Sequence, residues 1–199
     1  MARYRGPTHK MSRREGVNLT GTASPSLQRR LRVPPGQARR QQRPSEYAVR
    51  LRAKQRVKRQ YGLLERMFRR AFGEARRMPG DTGHNLLFLL EHRLDTVVYR
   101  LGFAHTRPMA RQLVTHRHVL VNGRRVNIPS YRVQVGDIVQ LTAKALEIPG
   151  VQDTLTEPPA RLPSWLVREG TVGRVIGTPQ RDEIDPDIRE QLIVEFYSR

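Results

Sequence analysis

The clearest periodicity lies in the middle of the chain. Leu94, Val97, Val98 and Leu101 recur at helical spacing and stop at Gly102. Thr106 can cap a second helix, with Leu113 and Val114 on its inner face. Pro108 falls in its first turn, where a missing N–H costs little. Alternation then replaces the helical period in Val119-Leu120-Val121, the hairpin signal Asn122-Gly123, and Arg124-Arg125-Val126. Another alternating stretch, Tyr131, Val133 and Val135, leads through Gly136-Asp137 to a strand over 138–141. Two short helices against a small antiparallel sheet are expected.

Upstream, Ser45 reads as the N-cap of a helix running to about Gln60, before Gly62. Its faces are poorly separated, which fits a helix lying on the surface better than one half sunk in protein. Arg52, Arg56 and Arg59 form one ridge, yet Lys54 and Lys58 fall near the meridian of Tyr47 and Leu51. From Leu63 to about Arg77 the pattern is cleaner: Leu64, Met67, Phe68, Ala71, Phe72 and Ala75 share a face, with Arg66, Arg70 and Arg77 opposite. Met78-Pro79-Gly80 ends that helix, and another apolar helix is expected over 85–90.

The two ends are less regular. Residues 1–44 hold eleven Arg and Lys among Gly, Pro, Ser, Thr and Gln, with a stiff turn at 34–37. Alone they bury too little to order themselves. Beyond 142, a strand is expected near 171–176 and a helix after Pro186, with Asp182, Glu183, Asp185 and Asp187 at its start. The apolar run from Leu192 to Tyr197 should pack on another part of the molecule. The pattern describes an α+β chain in four parts. An extended basic arm (1–44) precedes a helical domain (45–91, with 187–199 packing on it). An αα-turn-β module (92–155) follows, and a mildly acidic part (156–199) completes the sheet and returns to the helical domain.

Charge turns this outline into a partner. The chain of 199 residues carries a formal net charge of +19. Residues 1–125 hold 29 Lys and Arg against 7 Asp and Glu, a net of +22, while 126–199 hold 8 against 11, a net of −3. Such a charge repels itself unless a polyanion balances it. Nearly all the cations are Arg, whose guanidinium holds phosphate bidentately and stacks on bases, which suits RNA. A GC-rich genome can favour Arg codons, but it does not explain the asymmetry. No apolar run of membrane-spanning length and no signal-peptide segment occurs, so neither membrane attachment nor export is expected and the location should be cytoplasmic.

Chemistry of other kinds finds little support. The chain has no cysteine, which excludes disulfides, thiolate catalysis and Cys-based zinc sites. There is no phosphate-cradling glycine loop, serine elbow or paired-carboxylate motif, so no enzyme, small-molecule substrate or cofactor is expected. His116-x-His118 lacks a third ligand of suitable spacing, and no metal is expected there.

The candidate RNA-binding residues are therefore basic. On the arm they are Arg3, Arg5, Arg13, Arg14, Arg39, Arg40 and Arg43; on the helical domain, Arg52, Arg56, Arg59, Arg66 and Arg70. On the module they are Arg107, Arg111, His116, His118, Arg124 and Arg125, which should line one edge because the second helix and the hairpin share a corner. Arg93 and Arg100 stay open between phosphate contact and internal salt bridges.

The segments Leu94-Asp95-Thr96-Val97-Val98-Tyr99-Arg100-Leu101-Gly102-Phe103-Ala104, Ala110-Arg111-Gln112-Leu113-Val114 and Val121-Asn122-Gly123-Arg124-Arg125-Val126 closely resemble the bacterial small-subunit ribosomal protein four family. So do the opening Ala2-Arg3-Tyr4-Arg5-Gly6-Pro7, the stretch from Arg43 to Arg52, and the closing Ile193-Val194-Glu195-Phe196-Tyr197-Ser198-Arg199. The resemblance spans the whole chain. It implies a primary binder of 16S ribosomal RNA that gathers RNA helices at a junction and nucleates assembly. It also implies contact with small-subunit ribosomal protein five, an influence on decoding accuracy, and repression of the protein's own messenger in several bacteria.

Two departures from the family stand out. Cysteines that hold zinc in many members match His9 and Ser12 here, which implies the zinc-free form. Arg117 stands where relatives usually carry Gly after the helix, and a left-handed turn is expected to survive there at roughly 1 kcal/mol of strain, with Arg117 turned to phosphate. Two other functions are compatible with the same module. A free regulatory RNA-binder acting on messenger is one. The other is an RNA-modifying enzyme, which would need a separate catalytic domain larger than 142–199.

Overall fold

A computed structural model describes residues 4, 6–36, 43–156 and 162–198. Arg3, Arg5, Arg39, Arg40 and Gln37 lie outside the described residues. In chain order the helices are α1 (Thr8–Glu15), α2 (Pro25–Arg30), α3 (Glu46–Gln60), α4 (Glu65–Ala75), α5 (Thr82–Glu91), α6 (Leu94–Arg100), α7 (Arg107–Thr115), α8 (Ala143–Leu146), α9 (Pro149–Thr156) and α10 (Glu190–Tyr197). The strands are β1 (Val119–Val121), β2 (Arg124–Arg125), β3 (Ile138–Leu141), β4 (Leu166–Glu169) and β5 (Val172–Val175). Contacts divide the chain into two units, one ending at Leu86 and resuming at Asp187, the other Leu87–Pro186.

In the first unit α3 begins where its cap requires, with the Ser45 hydroxyl accepting from the Ala48 N–H at 3.3 Å. The sequence pattern suggested a helix lying on the surface. Instead α3 is flanked by protein, with α10 and α1 both packed against it. Its faces are mixed because its charges are satisfied internally. Lys54 is buried, donates to Glu65 Oε1 at 2.8 Å and sits 4.4 Å over the Phe196 ring, while Lys58 donates to Glu65 Oε2 at 2.8 Å. The apolar C-terminal segment closes this cluster. Tyr197 stacks on Phe72 at 4.6 Å between ring centroids and donates its hydroxyl to Glu65 at 2.8 Å.

Two expectations for this unit are corrected. Residues 8–30 are not an extended arm: they form α1 and α2, with Leu19 and Leu27 buried and Ser24 capping α2. Those two leucines and the carboxylate of Glu15 supply the anchoring that arginine content alone does not suggest. The last helix starts at Glu190, so the acidic residues 182–187 precede it instead of forming its first turn. Asp187 pairs with Arg56 at 2.8 Å.

The second unit packs α6 and α7 on one face of a five-stranded antiparallel sheet of order β2-β1-β3-β5-β4. Leu94, Val97, Val98 and Leu101 of α6 meet Leu113 and Val114 of α7 and Val119, Val121, Val139 and Val175 of the sheet. At Gly173 on β5 a side chain would collide with Leu101, so the close packing of helix on strand needs glycine there.

Three features of this unit depart from the sequence pattern. Tyr131–Val135 is not a strand. It hydrogen-bonds to the chain entering α6, Val133 N–H to the His92 carbonyl and Leu94 N–H to the Tyr131 carbonyl, so that only Val133 is buried. Helices α8 and α9 lie in a stretch whose sequence pattern predicts no element. Strand β4 was also missed, since Arg168 breaks its alternation. Its guanidinium donates to the carbonyls of Leu101, Gly102 and Thr154, closing the ends of α6 and α9.

Arg93 and Arg100 take the internal alternative. Arg93 grips Asp95 through two hydrogen bonds of 3.0 and 2.7 Å, and Arg100 grips Glu91 through two of 2.8 Å. Glu91 is almost fully buried, with 1% of its side chain exposed. Arg100→Gln should therefore destabilise the protein by about 3 kcal/mol in urea unfolding, since it leaves a buried carboxylate without its cation. A loss below about 1 kcal/mol would mean that water reaches Glu91.

Glu65 yields a pH dependence. Burial alone would raise its carboxyl, but hydrogen bonds from Lys54, Lys58 and Tyr197 bring it from 4.5 down to about 2. A carboxyl held low in the folded state adds stability that is complete above about pH 4.5 and is lost as pH falls towards 2. Glu65→Gln should flatten that acid limb of the stability curve, and an unchanged limb would assign it to other carboxylates.

Candidate RNA-binding surface

The surface of the second unit is built on the passage from α7 into the hairpin. Thr106 caps α7 through its hydroxyl, which accepts from the Met109 N–H at 3.3 Å. The helix ends on Arg117, left-handed at φ 64, with His118 N–H bonded to the Leu113 carbonyl and Arg117 N–H to the Val114 carbonyl, both at 3.0 Å. The left-handed turn thus survives without glycine. Asn122 and Gly123 at φ 50 and 76 then turn β1 into β2. The Asn122 side chain donates to Asp137 at 2.8 Å and accepts from the Ile138 N–H at 2.9 Å, while Asp137 accepts from the Gln134 N–H at 2.8 Å. The hairpin tip is thereby fixed to the turn before β3.

The six candidates of this unit sit in different surroundings. Arg107 lies over the Tyr99 ring, 4.5 Å from its centroid, and Arg111 is half-buried near Asp95 at 3.9 Å. His116 is exposed and His118 half-buried. Arg124 and Arg125 are both exposed, but consecutive strand residues face opposite sides of a sheet. Arg124 pairs with Val121 on the face that carries α7, whereas Arg125 pairs with Leu120 and lies on the far face.

In the first unit the candidates separate by partner. Arg52 and Arg59 both donate to the carboxylate of Glu15, whose side chain is 2% exposed, and Arg56 donates to Asp187. Burial pushes the Glu15 carboxyl above its usual range, and Arg52 and Arg59 pull it back. Arg13 bonds the carbonyls of Val33 and Pro34 at 3.0 and 3.1 Å. By contrast, Arg14, Arg43, Arg66 and Arg70 are exposed and form no ion pair with another described residue. The same holds for Arg29, Arg30, Arg32, Arg69, Arg76 and Arg77, which are not among the candidates, and for Arg117. For Arg69 the signal was available, because it falls between Arg66 and Arg70 on the outward side of α4.

Two family models match: the ribosomal protein S4/S9 N-terminal domain over residues 3–91 and the S4 domain over residues 92–139. The chain is 47% identical to the small ribosomal subunit protein uS4 of Rubrobacter xylanophilus, 50% to that of a Geobacillus strain and 51% to that of Dictyoglomus thermophilum, each alignment covering all of both chains. The chain belongs to the uS4 family. It is a family of ribosomal proteins, not of enzymes, and the α7–hairpin corner described above lies within the stretch matched by its S4 domain. Among the described residues no cluster of His, Asp or Glu is placed to hold a metal ion, and no helix is long and apolar enough to cross a membrane.

The pleat makes a prediction for this uS4 chain. Arg124→Ala should weaken binding to 16S RNA by about tenfold, the worth of a charged hydrogen bond, and Arg125→Ala by less than about threefold. Equal losses in a filter-binding titration would place RNA on both faces of the sheet.

Proposed function

We propose that the chain is a structural constituent of the small ribosomal subunit that binds 16S ribosomal RNA, organises a junction of its helices and nucleates assembly. The observation that carries this reading is the separation of its arginines. One set is tied to the chain's own carboxylates, while another stands exposed with no ion-pair partner among the described residues, available to phosphate. Membership of the uS4 family supports it.

The mechanism is electrostatic and geometric. Exposed guanidinium groups displace condensed counterions from the RNA backbone, so binding draws on their release. The major groove of A-form RNA is too deep and narrow for side chains to read, so recognition rests on the shape of the junction and the spacing of its phosphates. Of the arginines named at the outset, the exposed Arg14, Arg43, Arg66, Arg70 and Arg124 are the proposed contacts, together with Arg3, Arg5, Arg39 and Arg40 outside the described residues, whereas Arg52, Arg56 and Arg59 are held by Glu15 and Asp187. The resemblance extends the reading to contact with small-subunit ribosomal protein five, an influence on decoding accuracy, a cytoplasmic location on the ribosome, and repression of the protein's own messenger.

Affinity for 16S RNA should fall steeply with salt, and each phosphate-contacting Arg removed should lessen the log–log slope by about one unit. An Arg111→Ala/Arg124→Ala double substitution should erase part of the wild-type footprint on the RNA. A flat salt response would refute the electrostatic mechanism. Cosedimentation with small subunits through a high-salt wash separates a ribosomal constituent from a free regulator of messenger, which would stay in the soluble fraction.

A further inference from the structure

We propose that Arg117 is an additional phosphate contact, kept at a backbone position that favours glycine because its guanidinium binds RNA. The inference rests on the RNA-binding reading above and adds to it a residue outside the candidate set.

The backbone supplies the first part of the argument. A residue with a β-carbon at φ 64 is disfavoured by about fivefold or more relative to glycine. Among the described residues two other helices end with the same pair of hydrogen bonds, and both use glycine. At α3, Gly62 N–H bonds the Arg59 carbonyl and Leu63 N–H that of Lys58; at α6, Gly102 N–H bonds the Tyr99 carbonyl and Phe103 N–H that of Val98. Arg117 cannot relax out of the turn. Its own N–H and that of His118 are bonded back into α7, and the His118 carbonyl accepts from the Thr142 N–H at 3.0 Å.

The side chain supplies the second part. The Arg117 side chain is exposed and forms no hydrogen bond or ion pair with any described residue, so no side-chain contact within the fold offsets its strain. A cation near the C-terminus of α7 gains a little from the helix dipole, but at an exposed site salt screens that gain. Arg117 leads into β1, between exposed His116 and half-buried His118, and Arg124 follows past the far end of the same strand, beyond the hairpin turn. A guanidinium there can grip a phosphate with two parallel N–H groups.

The test compares full-length wild type, Arg117→Gly and Arg117→Lys in urea unfolding and in binding to 16S RNA across a salt series. Arg117→Gly should be at least as stable as wild type, yet bind about tenfold more weakly with a log–log slope lessened by about one unit. Arg117→Lys should keep the slope. An Arg117→Gly protein that binds with wild-type affinity and slope overturns this proposal alone, and so does one that loses stability, since the side chain would then serve the fold. Salt-insensitive binding by wild type overturns the RNA reading and this proposal with it.

Discussion

Carboxylates are scarce where this chain most needs counter-charge, and how they are spent shapes the rest of the structure. Only seven occur in residues 1–125, against 29 cations. Glu15 holds Arg52 and Arg59, Glu46 holds Arg50, Glu65 holds Lys54 and Lys58, Glu91 holds Arg100, and Asp95 holds Arg93. Asp81 accepts from the His84 N–H at the start of α5. Within each unit the acids fix particular cations against the fold. Most of the remaining cations among the described residues are exposed, a charge that a polyanion would balance.

The second unit was legible wherever one short-range rule governed. The apolar stripe of α6, the Thr106 cap and the Asn122-Gly123 turn each depend on neighbours within a few residues, and each forms as its spacing implies. Legibility failed where the partner is remote. Arg168 looks like a break in a strand until its carbonyl acceptors, 66 and 67 residues earlier in the chain, are known. Tyr131–Val135 alternates like a strand, yet it serves to tether the entry to α6.

The same limit applies to the surface. That arginines dominate the chain's charge was plain from their number and asymmetry. Which of them face outward was not. Arg52 and Arg59 meet a glutamate 37 and 44 positions away, and Arg56 meets an aspartate 131 positions away. No local pattern encodes such pairs. The opposite facing of Arg124 and Arg125 was deducible, because it follows from the pleat alone once both are placed in one strand.

The docking of α10 on α3 makes the first unit discontinuous, and this has a consequence for synthesis. A chain made from its N-terminus has every residue of the second unit before the first unit receives Phe196 and Tyr197, the aromatic rings that cover Lys54 and Phe72. Until then α3 has α1 packed against it but not α10, although every residue of the sheet has already been made, so the part translated first is the last to be completed.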